Sequence, residues 1–98
     1  MTNLPQFLSK CDEWDRAFPE DWKMAYWRRH VDKKENAYEC PVCHKVFSNS
    51  SGYSQLHCDH VKPYSQFIKG VDFTGPTTWD NLQLLCGECN RKKYNNPV

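Results

Sequence analysis

Two short cysteine pairs constrain this chain more than any other feature of its sequence. Cys40 and Cys43 form the first Cys-x-x-Cys pair, and Cys86 and Cys89 form the second, far along the chain. A tetrahedral Zn²⁺ ion takes four thiolates readily, and such an all-cysteine site is closed and structural. The pairs therefore predict one structural zinc that crosslinks two distant segments. Structural zinc contributes roughly 10–16 kcal/mol in small domains, so this ion would supply much of the folding energy.

The six cysteines of this 98-residue chain could instead form three disulfides in a secreted protein. However, the first residues, Met1 to Pro5, contain no apolar signal segment. Four of the six cysteines lie in Cys-x-x-Cys pairs, the usual metal-binding spacing in a reducing compartment. We therefore expect zinc rather than disulfides, and a cytoplasmic location. An iron–sulfur cluster on the same four cysteines is a less favoured alternative.

A different set of zinc ligands would combine two cysteines with two histidines: Cys40, Cys43, His57 and His60. The two histidines are separated by only two residues, whereas the finger pattern requires three to five. This assignment would also leave the second cysteine pair without a role. The four-cysteine site is therefore the prediction.

The rest of the composition is that of an ordinary globular protein, with 39% hydrophobic and 26% charged residues and a formal net charge of +1. The length favours one domain with a modest core. No apolar run approaches the roughly 18 residues of a membrane span, so no membrane partner is expected. The net charge does not indicate nucleic-acid binding, but basic side chains are concentrated at residues 23–34 and 91–93.

Helical periodicity predicts two N-terminal helices, over residues 3–18 and about 20–33, with Asn3 as an N-cap of the first. The apolar side chains of the first helix fall mostly three or four positions apart: Leu4, Phe7, Leu8, Cys11, Trp14 and Phe18. A linker is expected at residues 35–38.

Short strands and loops are predicted to alternate in the second half of the chain. The strands are expected at residues 46–47 and 55–61, and the loops at 48–53 and 64–78. A final helix is predicted from about residue 80 to residue 94, and it would carry the second cysteine pair.

Two further sequence patterns lie in the second half of the chain, and the second of them contains the second cysteine pair. They are Asp59-His60-Val61-x-Pro63 and Asp80-Asn81-Leu82-x-x-Leu85-Cys86-x-x-Cys89-Asn90-x-x-Lys93. Together they resemble the HNH endonucleases, over about residues 38–95. The resemblance implies an α+β fold: a small zinc-stapled ββα-metal nuclease domain at residues 38–98, preceded by two N-terminal helices in an extension at residues 1–37.

The resemblance also implies roles for individual residues. His60 is the general base, because a neutral imidazole can take a proton from water near pH 7. Asp59 and Asn90 hold one divalent cation, Mg²⁺ or Mn²⁺, through hard oxygen ligands. Asn81 fixes the loop that orients the base. The last motif position is more commonly histidine, so this chain resembles the members that carry asparagine there.

The implied reaction is metal-dependent hydrolysis of DNA phosphodiester bonds, with double-stranded DNA as the expected partner and RNA as an alternative substrate. Arg91, Lys92 and Lys93 are predicted to contact phosphates, which provide affinity but no sequence readout. The alternative function is a non-catalytic zinc-binding module that binds DNA or protein. In that case Asp59 and His60 would have no chemical role.

Overall fold

The computed structural model describes the backbone of residues 4–95 and the side chains of residues 4–93. The chain forms three helices and four strands within that range. In order they are α1 (Glu20–His30), β1 (Ala37–Glu39), β2 (Val46–Ser48), α2 (Asn49–Ser54), β3 (Leu56–His60), β4 (Leu82–Cys86) and α3 (Gly87–Asn95). Single 3₁₀ turns lie at Tyr64–Gln66 and Trp79–Asn81. The architecture is small and α+β, as the sequence predicted.

The strands form two antiparallel hairpins, β1 with β2 and β3 with β4. The register of the second hairpin sets His60 opposite Leu82 and Asp59 opposite Gln83. Helix α3 follows β4 without a loop, and β3 pairs with β4 across the connection at residues 61–81, so the three elements form a ββα unit. This unit brings the Asp-His pair at the end of β3 close to the side chains of α3.

Two apolar clusters meet at β4. The larger joins α1 and both hairpins to the second cysteine pair, and consists of Trp27, Tyr38, Cys40, Leu56, Leu84, Leu85, Cys86 and Cys89. The smaller joins the N-terminal segment and α1 to the start of β4, through Leu8, Trp22, Ala25 and Leu82. Strand β4 links the two halves of the core, because Leu84 and Leu85 belong to the larger cluster and Leu82 belongs to the smaller one. Fully burying each such side chain is worth about 1.5–3 kcal/mol.

The predicted helix over residues 3–18 is wrong for residues 4–18, which form turns, bends and irregular chain. The predicted apolar stripe does not form one buried face, because Phe7 is 76% exposed. Asp12 also competes with helical hydrogen bonding: its Oδ1 accepts from Trp14 N at 2.7 Å, and its own N–H donates to Asp15 Oδ2 at 3.2 Å. The predicted N-cap, Asn3, lies outside the described residues.

Three other predictions also fail. The final helix begins at Gly87 rather than near residue 80, and Leu82–Cys86 is a strand; short apolar runs do not distinguish a buried strand from a buried helix. The predicted loop at 48–53 contains α2, and the predicted linker at 35–38 contains the start of β1. Gly52 of α2 packs so closely on β2 that an added Cβ would lie 2.5 Å from the carbonyl carbon of Phe47.

Other predictions are confirmed: helix α1, the strands β2 and β3, and the irregular connection at 64–78. The predicted boundary between residues 37 and 38 stays a prediction, although described residues on both sides of it share the two apolar clusters. None of the helices formed by residues 4–95 is long and apolar enough to cross a membrane.

Candidate metal centre and active site

The four paired cysteines converge on one point between the first hairpin and α3. Their Sγ atoms all lie within 4.8 Å of one another, and those of Cys43 and Cys86 are 3.8 Å apart. Four thiolates around a tetrahedral zinc with bonds of about 2.3 Å would be separated by about 3.8 Å. The cluster therefore fits a zinc ion. In the part of the chain that the structure describes, no other group of three His, Cys, Asp or Glu side chains has this geometry.

Backbone hydrogen bonds shape both halves of the cysteine cluster. Cys40 N donates to Lys45 O and His44 N donates to Cys40 O, both at 2.9 Å, and His44 adopts a left-handed φ of 65°. At the start of α3, Cys89 N donates to Cys86 Sγ at 3.5 Å. Burial raises the pKa of the Cys40 thiol, but N–H donors at Cys43 and Cys86 outweigh it and lower the pKa to about 6. These donors favour the thiolate, which is the metal-binding form.

His60 lies in a pocket of aromatic side chains at the end of β3 and is only 5% exposed. The Phe18 ring packs over its imidazole with centroids 4.4 Å apart, and Tyr64 meets it edge-on at 5.7 Å. Its Nε2 lies 3.0 Å from Thr77 Oγ1. Burial lowers the pKa of His60, the Asp59 charge partly opposes that effect, and the Lys93 charge adds to it. The imidazole is therefore neutral near pH 7.

Asp59 is fully buried beside this histidine, and its charge is compensated from α3. Its Oδ2 accepts hydrogen bonds from Lys93 Nζ at 2.6 Å and from Gln83 Nε2 at 2.8 Å. The Lys93 ammonium also donates to the backbone carbonyls of His60 and Val61. A buried carboxylate is tolerated when it is paired and hydrogen-bonded in this way.

Asn90 precedes Lys93 by three residues on α3, so both side chains lie on the same face of the helix. Its Oδ1 is buried and has no hydrogen-bond partner among the described residues. An unsatisfied buried carbonyl oxygen costs about 1–3 kcal/mol. Carboxylate and amide oxygens are the ligands that Mg²⁺ and Mn²⁺ prefer. The donor set of Asp59 and Asn90 therefore fits a hard divalent cation.

The Asn81 side chain forms hydrogen bonds near both ends of the irregular connection at residues 64–78. Its Oδ1 accepts from Lys62 N at 2.9 Å, and its Nδ2 donates to Lys62 O at 3.1 Å and to Pro76 O at 2.9 Å. The Asn81 carbonyl also accepts from Val61 N at 2.9 Å. These bonds join the chain just after His60 to the chain just before Thr77, the residue whose hydroxyl contacts His60 Nε2.

The three basic residues of α3 differ in their surroundings. Arg91 and Lys92 are exposed, and Lys92 forms an i,i+4 ion pair with Glu88 at 3.3 Å. Lys93 is only 23% exposed, and its ammonium is directed towards Asp59 and the end of β3. Its three hydrogen bonds use all three ammonium donors within the protein.

Sequence reasoning did not identify Thr77, Phe18 or Gln83 as neighbours of the Asp-His pair. Gln83 could have been found from the pairing of β3 with β4, had Leu82–Cys86 been predicted as a strand. Thr77 and Phe18 carry no sequence signal for this position, because both reach His60 through tertiary packing.

Residues 40–96, more than half of the chain, match the family model described as HNH endonuclease. No curated protein and no solved structure matches the chain. The matched range includes all four cysteines and the Asp-His pair, together with Asn81 and Asn90. It does not include Phe18 or the rest of the N-terminal segment.

Proposed function

The chain belongs to the HNH endonuclease family, and on this basis we propose that it hydrolyses phosphodiester bonds of double-stranded DNA with the help of one divalent metal ion. The orphaned Oδ1 of Asn90 is the observation that carries the proposal. Asn90 and Lys93 lie on the same face of α3, one turn apart, and the Lys93 ammonium contacts Asp59. A buried amide oxygen without a donor is available as a ligand, and hard cations take oxygen ligands from carboxylates and amide carbonyls.

The side chains at the end of β3 divide the chemistry between them. His60, kept neutral by burial, accepts the proton of the attacking water. Asp59 and Asn90 would hold Mg²⁺ or Mn²⁺, and such an ion supplies Lewis-acid stabilisation of the phosphate and the leaving oxygen. Asn81 Nδ2 donates to Lys62 O and Pro76 O, and these bonds join the two ends of the loop that follows His60. The four cysteines would hold a structural zinc ion, which would take part in no chemical step and would fix α3 against the first hairpin.

The exposed basic side chains of α3 are the proposed contacts to the DNA backbone. Arg91 and Lys92 are available for phosphate binding, whereas the Lys93 ammonium is engaged inside the protein. We therefore assign phosphate contact to Arg91 and Lys92 and an internal role to Lys93. Phosphate contacts provide affinity that falls with salt.

One observation favours the alternative function, a non-catalytic zinc-binding module that binds DNA or protein. The Lys93 ammonium already neutralises Asp59 at 2.6 Å, so this buried pair could serve packing alone. In that case neither Asp59 nor His60 would act on a substrate.

A plasmid-nicking assay with two proteins separates these functions. Zinc-loaded wild type and His60→Ala, with equal zinc content, are incubated with supercoiled DNA in Mg²⁺, in Mn²⁺, in Zn²⁺ alone and without added metal. The wild type should nick DNA in Mg²⁺ or Mn²⁺, and His60→Ala should be slower by roughly 10²–10⁴-fold. A folded, zinc-loaded wild type that cuts neither DNA nor a matched RNA in any metal would support the binding module.

A further inference from the structure

The hydroxyl of Thr77 connects His60 to a backbone carbonyl of the N-terminal segment. Thr77 is 1% exposed, and its Oγ1 lies 3.0 Å from His60 Nε2. The same hydroxyl donates a hydrogen bond to Asp15 O. These three groups therefore form a chain of hydrogen bonds from the imidazole to a segment outside the family match.

The direction of each bond in this chain follows from the inventory of protons. A carbonyl oxygen only accepts, so the single proton of the Thr77 hydroxyl must point to Asp15 O. The hydroxyl oxygen can then meet His60 Nε2 only as an acceptor. In neutral imidazole, Nε2 must therefore carry the proton, and the basic lone pair lies on Nδ1.

The N-terminal segment holds this arrangement rigidly from several sides. Thr77 N donates to Glu13 O at 2.8 Å, and Tyr64 Oη donates to Trp14 O at 2.5 Å. Gly75 approaches so closely that an added Cβ would lie 2.4 Å from Glu13 O. The Phe18 ring covers one face of the imidazole. The hydroxyl, its carbonyl acceptor and the ring therefore have little freedom to change partners.

We propose that Thr77, oriented by the Asp15 carbonyl, is a positioning residue that fixes neutral His60 with its proton on Nε2. Residues 13–18 are then part of the base's surroundings rather than a separate extension. The catalytic consequence, that Nδ1 receives the proton of water, rests on the proposed function. The tautomer itself does not.

The tautomer can be read directly by long-range ¹H–¹⁵N correlation spectra of the ¹⁵N-labelled, zinc-loaded chain at a pH where His60 is neutral. The His60 signals are assigned by their loss in His60→Ala. Wild type and Thr77→Ser should both carry the proton on Nε2. Thr77→Val, which keeps the shape and removes the hydroxyl, should show a mixture of tautomers.

Cleavage kinetics supply the second measurement. Thr77→Val should lower kcat by roughly 10–10²-fold with little change in KM, a part of the 10²–10⁴-fold that a positioned base contributes, and Thr77→Ser should restore it. A wild-type spectrum with the proton on Nδ1 overturns the proposal without any variant, even if Thr77→Val fails to fold. So does a Thr77→Val spectrum identical to wild type. A wild type that shows the Nε2 proton but cuts no nucleic acid would defeat the proposed function and leave the positioning role standing.

Discussion

Removing the ammonium of Lys93 should destabilise the protein far more than removing the ammonium of its neighbour. Lys93 Nζ lies 2.6 Å from Asp59 Oδ2 and 3.3 Å from Val61 O, and it also donates to His60 O. The Lys93 side chain is 23% exposed and that of Asp59 is fully buried. Lys93→Met keeps most of the apolar stem and removes the charge from this site.

The size of the effect follows from burial. Removing one partner of a buried ion pair costs about 3–5 kcal/mol. Lys93 retains some exposure, and Gln83 still donates to the carboxylate, so we expect a loss of about 2–4 kcal/mol in the free energy of unfolding. Lys92→Met is the matched control. Its ion pair with Glu88 is exposed, and such i,i+4 pairs contribute about 0.2–0.5 kcal/mol.

Urea unfolding of the zinc-saturated proteins, followed by tryptophan fluorescence, measures both losses. The double variant Asp59→Asn/Lys93→Met should recover part of the Lys93→Met loss, because it removes the buried charge as well as its partner. DNA affinity provides the second comparison: Lys92→Met should weaken it, and Lys93→Met should not. Equal stability losses for the two single variants would refute the structural role of Lys93. Equal losses of DNA affinity would restore Lys93 to the phosphate contacts that the sequence predicts.

Further outcomes are expected at four sites. Purified protein should carry about one Zn²⁺ per chain by metal analysis, and Cys86→Ser should reduce both zinc content and thermal stability. In calorimetric Mn²⁺ titrations, Asn90→His should keep or raise the affinity and Asn90→Ala should lower it; three equal affinities would remove Asn90 from the metal site. Replacing Arg91 and Lys92 together by glutamine should weaken binding to all DNA sequences and reduce the salt slope by about 1–2, whereas unchanged binding at two salt concentrations would show that both are merely solvated. Burial lowers the pKa of His60, so the imidazole should stay neutral as the pH falls through about 6.5, and the cleavage rate should not fall there. The unfolded chain binds a proton at His60 at a higher pH than the folded chain does, so the free energy of unfolding should be constant above about pH 6.5 and should fall below it. His60→Gln should flatten that fall in a series of urea unfolding curves at different pH. A rate that already falls above pH 6.5 would contradict a buried neutral base.

The sequence predicted well those features that depend on ligand type and local spacing. Two Cys-x-x-Cys turns leave few ways to arrange four sulfurs, and the structure brings all four together. Leu56–His60 and Glu20–His30 were also predicted as the correct element types. Apolar periodicity was less reliable at Leu82–Cys86, where a buried strand and a buried helix have similar sequences. That error also hid Gln83, which reaches Asp59 only because β4 pairs with β3.

The failure of the first predicted helix has a different cause, which also bears on the active site. A helix over residues 4–18 would engage the carbonyls of residues 4–14 with N–H groups four residues later. In the structure, four carbonyls of this segment accept instead from side chains and backbone outside it. Ser9 O accepts from Trp22 Nε1, Glu13 O from Thr77 N, Trp14 O from Tyr64 Oη, and Asp15 O from the Thr77 hydroxyl.

A helical segment would therefore engage Glu13 O and Trp14 O, and so remove the acceptors of Thr77 N and Tyr64 Oη. Asp15 O would gain no helical donor, because Pro19 has no N–H. The helical backbone would nevertheless move Asp15 O away from Thr77 and leave the hydroxyl proton free to point at His60 Nε2. The imidazole would then accept at Nε2 and carry its proton on Nδ1, which is the atom assigned here to receive the proton of water. Local helix propensity and the orientation of the base are thus in conflict in this segment, and the tertiary hydrogen bonds prevail. This conflict explains why apolar spacing alone misleads at residues 4–18. It also predicts that substitutions that raise helix propensity on the exposed side of that segment should disturb the His60 tautomer before they disturb the zinc site.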